Sequence, residues 1–160
     1  MVSLSFCEGM SVKKKNWILL TVLSSVLLGS ANVPLFAQDC KNMAYLHQNQ
    51  FDPKPIELWQ VQGTAVDRNG TSLQQLCVGI FTASELTLVR YAQTDSNGIF
   101  SVDTNGLPDG EYRLVGELIG FCPANAIINI KSHSSHKEPL VVHMNLPGID
   151  PCSYVKRAKE

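Results

Sequence analysis

From Glu57 onward the chain alternates between apolar and polar positions with a period of two. Trp59, Val61, Gly63 and Ala65 fall on one face of a predicted strand, and Gln60, Gln62 and Thr64 fall on the other. The run "DRNGTS", Asp67 to Ser72, then turns the chain through Asn69-Gly70. Further strands are predicted over Cys77 to Thr82, Thr87 to Gln93, Ile99 to Asp103 and Glu111 to Ile119. In the last of these Tyr112, Leu114, Gly116 and Leu118 share a face. "GFCPAN", Gly120 to Asn125, interrupts the pattern. Ala126, Ile128 and Ile130 resume it, and Leu140, Val142, Met144 and Leu146 do so again after the polar loop "KSHSSHKEP". No amphipathic helix of useful length competes. Seven short strands with frequent turn signals predict an all-β, seven-stranded, two-sheet β-sandwich over residues 57–147.

The turns carry most of the Asp and Asn residues. Asn97-Gly98 supplies positive φ for a tight hairpin, and Asp95 is placed to bond backbone amides in the same turn. Pro108 sets φ in the next turn, Gly110 tolerates left-handed geometry, and Tyr112 drops into the core with its hydroxyl available to a backbone partner. The same residues invite a calcium reading. A calcium loop needs oxygen ligands at alternate positions and a distal Glu, whereas Ile99 and Phe100 stand where ligands should continue. Turn chemistry is the better account.

The segment before the strands has a different composition. Lys13 to Lys15 form a basic stretch, Trp17 to Leu28 is an apolar run, and "VPLFA" ends at Ala37. The apolar run of about 12 residues, broken only by Thr21, Ser24 and Ser25, falls short of the roughly 20 that span a bilayer, so residues 1–37 are predicted to be a cleaved secretory signal peptide. Ala31 is a second cut position, and Met10 an alternative start to Met1. Cys40, after "AQD", lacks the setting of a lipoprotein cysteine. Loss of the leader removes three Lys and one Glu, leaving ten basic and thirteen acidic residues, a net charge of −3. With no basic block, nucleic acid and anionic membrane are poor partners. Four cysteines remain, Cys40, Cys77, Cys122 and Cys152. Without CxxC-like spacing they read as two disulfides rather than a zinc site, with three connectivities open. Residues 38–56 form a polar arm with a short helix expected around Met43 to Gln48 and turn chemistry at "DPKP", and residues 148–160 form a tail.

Taken together, "VQGTAVDRNGTSLQQLCVGIF" and "TDSNGIFSVDTNGLPDGEYRLVGELIGFCP" resemble the carboxypeptidase regulatory-like family. That family has a prealbumin-like (transthyretin-like) seven-stranded Greek-key sandwich, classed near carbohydrate-binding-like folds, and the resemblance implies that topology here. The resemblance runs from Val61 to Leu146; Cys77, Cys122 and the N-terminal arm depart from the family pattern. It implies that the second and fifth of the seven strands are antiparallel neighbours, which would pair Cys77 with Cys122 and leave Cys40 with Cys152. It also implies an accessory role, since family members serve beside peptidases or at the base of outer-membrane transporters.

Candidate chemistry is sparse. His133 and His136 have a spacing that suits a metal only on a helix, and they lie in a Ser-rich loop. His47 and His143 stand without a motif and read as surface or strand-face residues. Gly-x-Ser-x-Gly is missing. The tail "CSYVKRAKE" lacks the Tyr-Arg-Gly-Ser ending of hydroxyisourate hydrolases, and Tyr91 and Tyr112 lack the histidines of an intradiol dioxygenase iron site. Asn69-Gly-Thr71 is formally a glycosylation sequon but reads as a hairpin turn. Trp59, Tyr91 and Phe121 are the aromatic residues left to act as ligand platforms. The expectation is an exported, periplasmic or extracellular, non-catalytic module without cofactor or metal. It would bind or scaffold an envelope protein, with carbohydrate binding, or service to an envelope peptidase or transporter, as the alternatives.

Overall fold

The computed structural model describes residues 38–44, 54–132, 138–149 and 152–159. The expected leader, the His133/His136 pair, His47, and most of the expected helix at 43–48 lie outside these residues. The protein is all-β. A 3-10 turn, Cys40–Asn42, precedes nine strands: β1 Ile56–Leu58, β2 Val61–Asp67, β3 Cys77–Thr82, β4 Leu88–Gln93, β5 Ile99–Val102, β6 Gly110–Glu117, β7 Ala124–Ile130, β8 Leu140–Met144 and β9 Tyr154–Arg157.

The seven expected strands correspond to β2 through β8, and nine rather than seven are present among the described residues. The two additions have a shared cause. β1 has three residues and β9 has four, three of them charged or phenolic, so neither shows enough alternation to be read locally. They become strands by pairing: β1 runs parallel to β7, and β9 runs antiparallel to β8 with one parallel pair to β7. A bend at Trp59 and Gln60 separates β1 from β2, because β1 lies beside β7 while β2 lies between β8 and β5. Trp59 is therefore not on the buried face of Val61 and Ala65, and is 38 % exposed.

Hydrogen bonds connect the strands in one path, β4-β3-β6-β7-β9-β8-β2-β5, with β1 alongside β7. The two end strands, β4 and β5, touch without pairing, so the sheet nearly closes in a barrel-like way. Alternate residues point inward. Val61 and Ala65 from β2, Val78 and Ile80 from β3, Leu114 from β6, Ile128 from β7, and Leu140 and Val142 from β8 form the core. Each of these Val, Leu and Ile side chains contributes about 1.5–3 kcal/mol by leaving water. At Gly63 a side chain is impossible, because a Cβ would stand 2.1 Å from the Leu140 carbonyl oxygen on the paired strand.

β3 reads "CVGIF", a continuous apolar run, because both its faces are covered. Cys77 and Phe81 point outward into a second cluster with Val115 and with Cys40 and Met43 of the arm. Gly79 leaves room for the arm: a Cβ there would lie 3.1 Å from Met43 Sδ and 2.9 Å from Phe81 Cε2.

The disulfides are Cys40–Cys77 and Cys122–Cys152, with Cα separations of 5.3 and 5.9 Å. This overturns the expected pairing of Cys77 with Cys122 and of Cys40 with Cys152. The neighbouring strands behind that expectation do exist, since β3 and β6 are antiparallel and Cys77 stands opposite Glu117. Cys122 lies five residues further on, past a turn in which Gly120 has φ +90°. Its amide donates to the Asn145 carbonyl at 2.8 Å, which takes it to the end of β8, while Cys77 points outward under the arm.

Candidate binding surface

The residues singled out as turn formers act on their own backbone. Asp95 Oδ1 accepts from the amides of Asn97 and Ile99 at 2.8 and 2.9 Å. Asp67 Oδ1 accepts from Asn69 and Thr71, both at 2.8 Å, and Asp103 Oδ1 accepts from Asn105 at 2.9 Å. Asp109 instead ties its turn to the end of β7, accepting from the Ser132 amide at 3.0 Å and from its hydroxyl at 3.1 Å. The Tyr112 hydroxyl donates to the Pro108 carbonyl at 2.8 Å, which closes the Pro-Asp-Gly turn. No three His, Cys, Asp or Glu side chains converge among the described residues in a way that would hold a metal.

The three aromatic candidates do not meet. Trp59 follows Leu58, which pairs with Ile130 and so lies at the Gly110 end of β6. Phe121 follows the other end of β6, roughly 23 Å away by the rise of eight residues in a strand. It is half-buried against the core. Tyr91 stands on the outer face of β4 opposite Gly79 and is 42 % exposed. No common aromatic platform forms from the three.

A different group does come together, on the outer face across β7, β9 and β8. Asn125 pairs with Tyr154, and Tyr154 pairs with His143, so the three stand in one row across the sheet. Successive strands are about 4.8 Å apart, which places Asn125 and His143 roughly 10 Å from each other on either side of Tyr154. The His143 and Tyr154 rings stack, with centroids 4.8 Å apart and planes 16° from parallel. Lys156 is two residues along β9 on the same face, opposite Val141. Val155, between them, packs on the core and sets this orientation.

The polar atoms of this row are incompletely used. Asn125 Oδ1 and His143 Nε2 are buried from solvent and have no hydrogen-bond partner among the described residues; the same holds for Nη1 of Arg113, on the outer face of β6. Burial and, to a smaller degree, the Lys156 ammonium hold the His143 pKa below its ordinary value. The ring is therefore neutral at pH 7, with one nitrogen to donate and one to accept. At the far end of β6, burial pushes the Glu117 carboxyl above the usual carboxylate range.

No family model matches the chain, and no curated protein matches it. The surface therefore rests on its own geometry. An imidazole, a carboxamide, an ammonium and a tyrosine ring stand at strand spacing on one half-buried sheet face, where the parts that reach solvent can exchange hydrogen bonds with a polar partner and pack against its apolar parts. Sequence reasoning placed His143 on a strand face but left it alone. Tyr154 and Lys156 lie in the polar stretch after residue 147, where the sequence pattern predicts no strand. The only local signal was that they alternate with Val155 and Arg157.

Proposed function

We propose that this chain is an exported, disulfide-stapled, non-catalytic β module of the carboxypeptidase regulatory-like type. It binds a protein partner in the cell envelope through the outer face of β7, β9 and β8. In this reading β2 to β8 are the seven-stranded Greek-key unit of a prealbumin-like sandwich, and β1 and β9 are additions that draw the sheet toward closure. The observation that carries the binding role is the row Asn125–Tyr154–His143, with two buried polar atoms lacking partners. Such atoms cost roughly 1–3 kcal/mol each when left unsatisfied, and a partner toward which the two side chains turn outward recovers that energy.

The family type is supported by how its motif residues are used: Asp95 caps its own hairpin and Tyr112 closes the Pro-Asp-Gly turn. Export is supported by the two disulfides, which persist in oxidising compartments. Among the described residues no helix is long and apolar enough to cross a membrane.

The test is photo-cross-linking in the secreting cell, with the reactive group placed at Lys156. A discrete protein adduct that disappears in a Tyr154→Ala/His143→Ala variant of unchanged fold is the expected result. An adduct pattern indifferent to those substitutions would sink the proposal. Binding on a glycan array that depends on Trp59 or Tyr91 would transfer the role to carbohydrate recognition.

A further inference from the structure

Three tetrapeptides of the form Asp-x-Asn-Gly recur in the chain: Asp67 to Gly70, Asp95 to Gly98 and Asp103 to Gly106. In all three the Asp carboxylate accepts the Asn amide, and the glycine has positive φ, +81°, +73° and +77°. The turns nevertheless close differently. The Gly70 amide donates to the Asp67 carbonyl, and the Gly98 amide to the Asp95 carbonyl, both at 3.0 Å. In the third turn the closing bond runs from the Leu107 amide to the Thr104 carbonyl at 3.1 Å, and the Gly106 amide makes no hydrogen bond among the described residues. That amide belongs to the Asn105–Gly106 peptide, whose carbonyl oxygen accepts a hydrogen bond from Arg90 Nη2 at 3.3 Å.

We infer that Asn105 is a self-modification site, at which the Gly106 backbone nitrogen closes on the Asn105 side chain to convert the amide into a carboxylate. The Gly106 nitrogen loses its proton and attacks Asn105 Cγ. The bond from Cγ to Nδ2 then breaks, and Nδ2 departs as ammonia carrying a proton from water or buffer. This leaves a five-membered succinimide. Water adds to either carbonyl of that ring and opens it to aspartate or to isoaspartate. The balance is one water consumed and one ammonia released, with no oxidant, metal or second protein.

Two features favour this turn over its siblings. The nucleophile must surrender its proton, and at Gly70 and Gly98 that proton is held by a carbonyl, whereas at Gly106 it is not. The Arg90 guanidinium on the Asn105 carbonyl stabilises the negative charge that spreads onto that oxygen as the nitrogen ionises. Space sharpens the ranking. Gly98 is packed, with a notional Cβ 2.7 Å from the Ala65 carbonyl oxygen, while nothing lies within 4 Å of such an atom at Gly106 or at Gly70. Gly70 is thus open but hydrogen-bonded, which makes Asn69 the control that separates the bond from the crowding.

Conversion would place a carboxylate beside Arg90, whose Nη1 also donates to the Val89 carbonyl at 2.8 Å. Arg90 spans from β4 to the turn after β5, across the seam where these strands touch but do not pair. The modification therefore adds charge at the one place where the sheet path is open.

The experiment is prolonged incubation of the purified, disulfide-bonded protein at mildly alkaline pH. Mass-spectrometric peptide mapping then distinguishes asparagine, aspartate and isoaspartate at each site. Asn105 is expected to convert about two- to tenfold faster than Asn69, the factor that one retained hydrogen bond imposes. Asn97 should be slowest. In the reduced, denatured chain the three rates should become similar. Arg90→Gln should slow Asn105 about three- to tenfold and leave Asn69 unchanged. Conversion of Asn69 or Asn97 at least as fast as Asn105 in the folded protein would overturn the inference, and so would a native ranking that survives denaturation. An Asn105 rate unaffected in a folded Arg90→Gln variant would remove the role of the guanidinium.

Discussion

The two disulfides perform the same chemistry in unlike surroundings. Cys40–Cys77 joins the arm to the outer face of β3, within a hydrophobic cluster that includes Met43, Phe81 and Val115. Cys122–Cys152 joins the β6–β7 turn to the segment leading into β9, and Cys152 is half-exposed. β9 itself is held by four pairs to β8 and one to β7, and none of its residues is fully buried. The first bridge therefore reinforces a contact that apolar burial already favours. The second stands in for burial that the polar strand β9 cannot provide, and so holds the row containing Tyr154 in register.

That contrast predicts a graded set of outcomes. Replacing Cys40 and Cys77 together by alanine should cost about 3–5 kcal/mol in denaturant unfolding, because the chain constraint and the packing of the arm are lost together. Replacing Cys122 and Cys152 should cost about 2–3 kcal/mol but should selectively raise amide exchange in β8 and β9. Equal exchange throughout the sheet in both variants would erase the distinction. Gly79→Val should cost about 1–3 kcal/mol by driving Met43 and the arm off β3, with β9 exchange unchanged. Under mild reductant the Cys122–Cys152 bridge should open first, as thiol alkylation followed by peptide mapping would report, since its Cys152 end is reachable by solvent.

The smallest effects are those of pH. The folded-state pKa of His143 is lowered, so the unfolded chain binds the extra proton first. Stability is complete above the unfolded value of about 6.5 and falls as pH drops through it toward the folded value. His143→Gln should flatten that decline. Glu117 acts in the opposite sense: its folded pKa is raised, so ionisation costs stability once pH rises above its unfolded range. Glu117→Gln should raise the unfolding free energy at pH 7, by under about 1 kcal/mol for so exposed a group, and should have no effect in strong acid. A gain that persists in acid would mean that charge is not the cause.

The alternation from β2 to β8 was legible because each strand shows one face to a common core. That requirement is written locally, residue by residue, and β3 kept its expected bounds from Cys77 to Thr82. The turns were legible for a similar reason: an Asp two residues before an Asn amide needs only its own neighbours to bond it. β1 and β9 were not legible, since a strand of three or four residues exists only if another strand offers it an edge. The row Asn125–Tyr154–His143 follows from that hidden strand, and its members are far apart in the chain.

What the sequence determined by itself was the all-β class, most strand positions, the turn chemistry, and the presence of four cysteines outside the apolar N-terminal segment. What only the tertiary structure decided was which cysteines meet, which face Trp59 leaves, and which polar side chains share a surface. The same division separates the three Asp-x-Asn-Gly turns. Their local geometry is nearly common, but the lack of a bond to the Gly106 amide and the reach of Arg90 depend on how β4, β5 and β6 come together. Patterns of period two report only whether a side chain faces the core. Pairings across the sheet depend on the closure of long loops, and nothing local encodes their outcome.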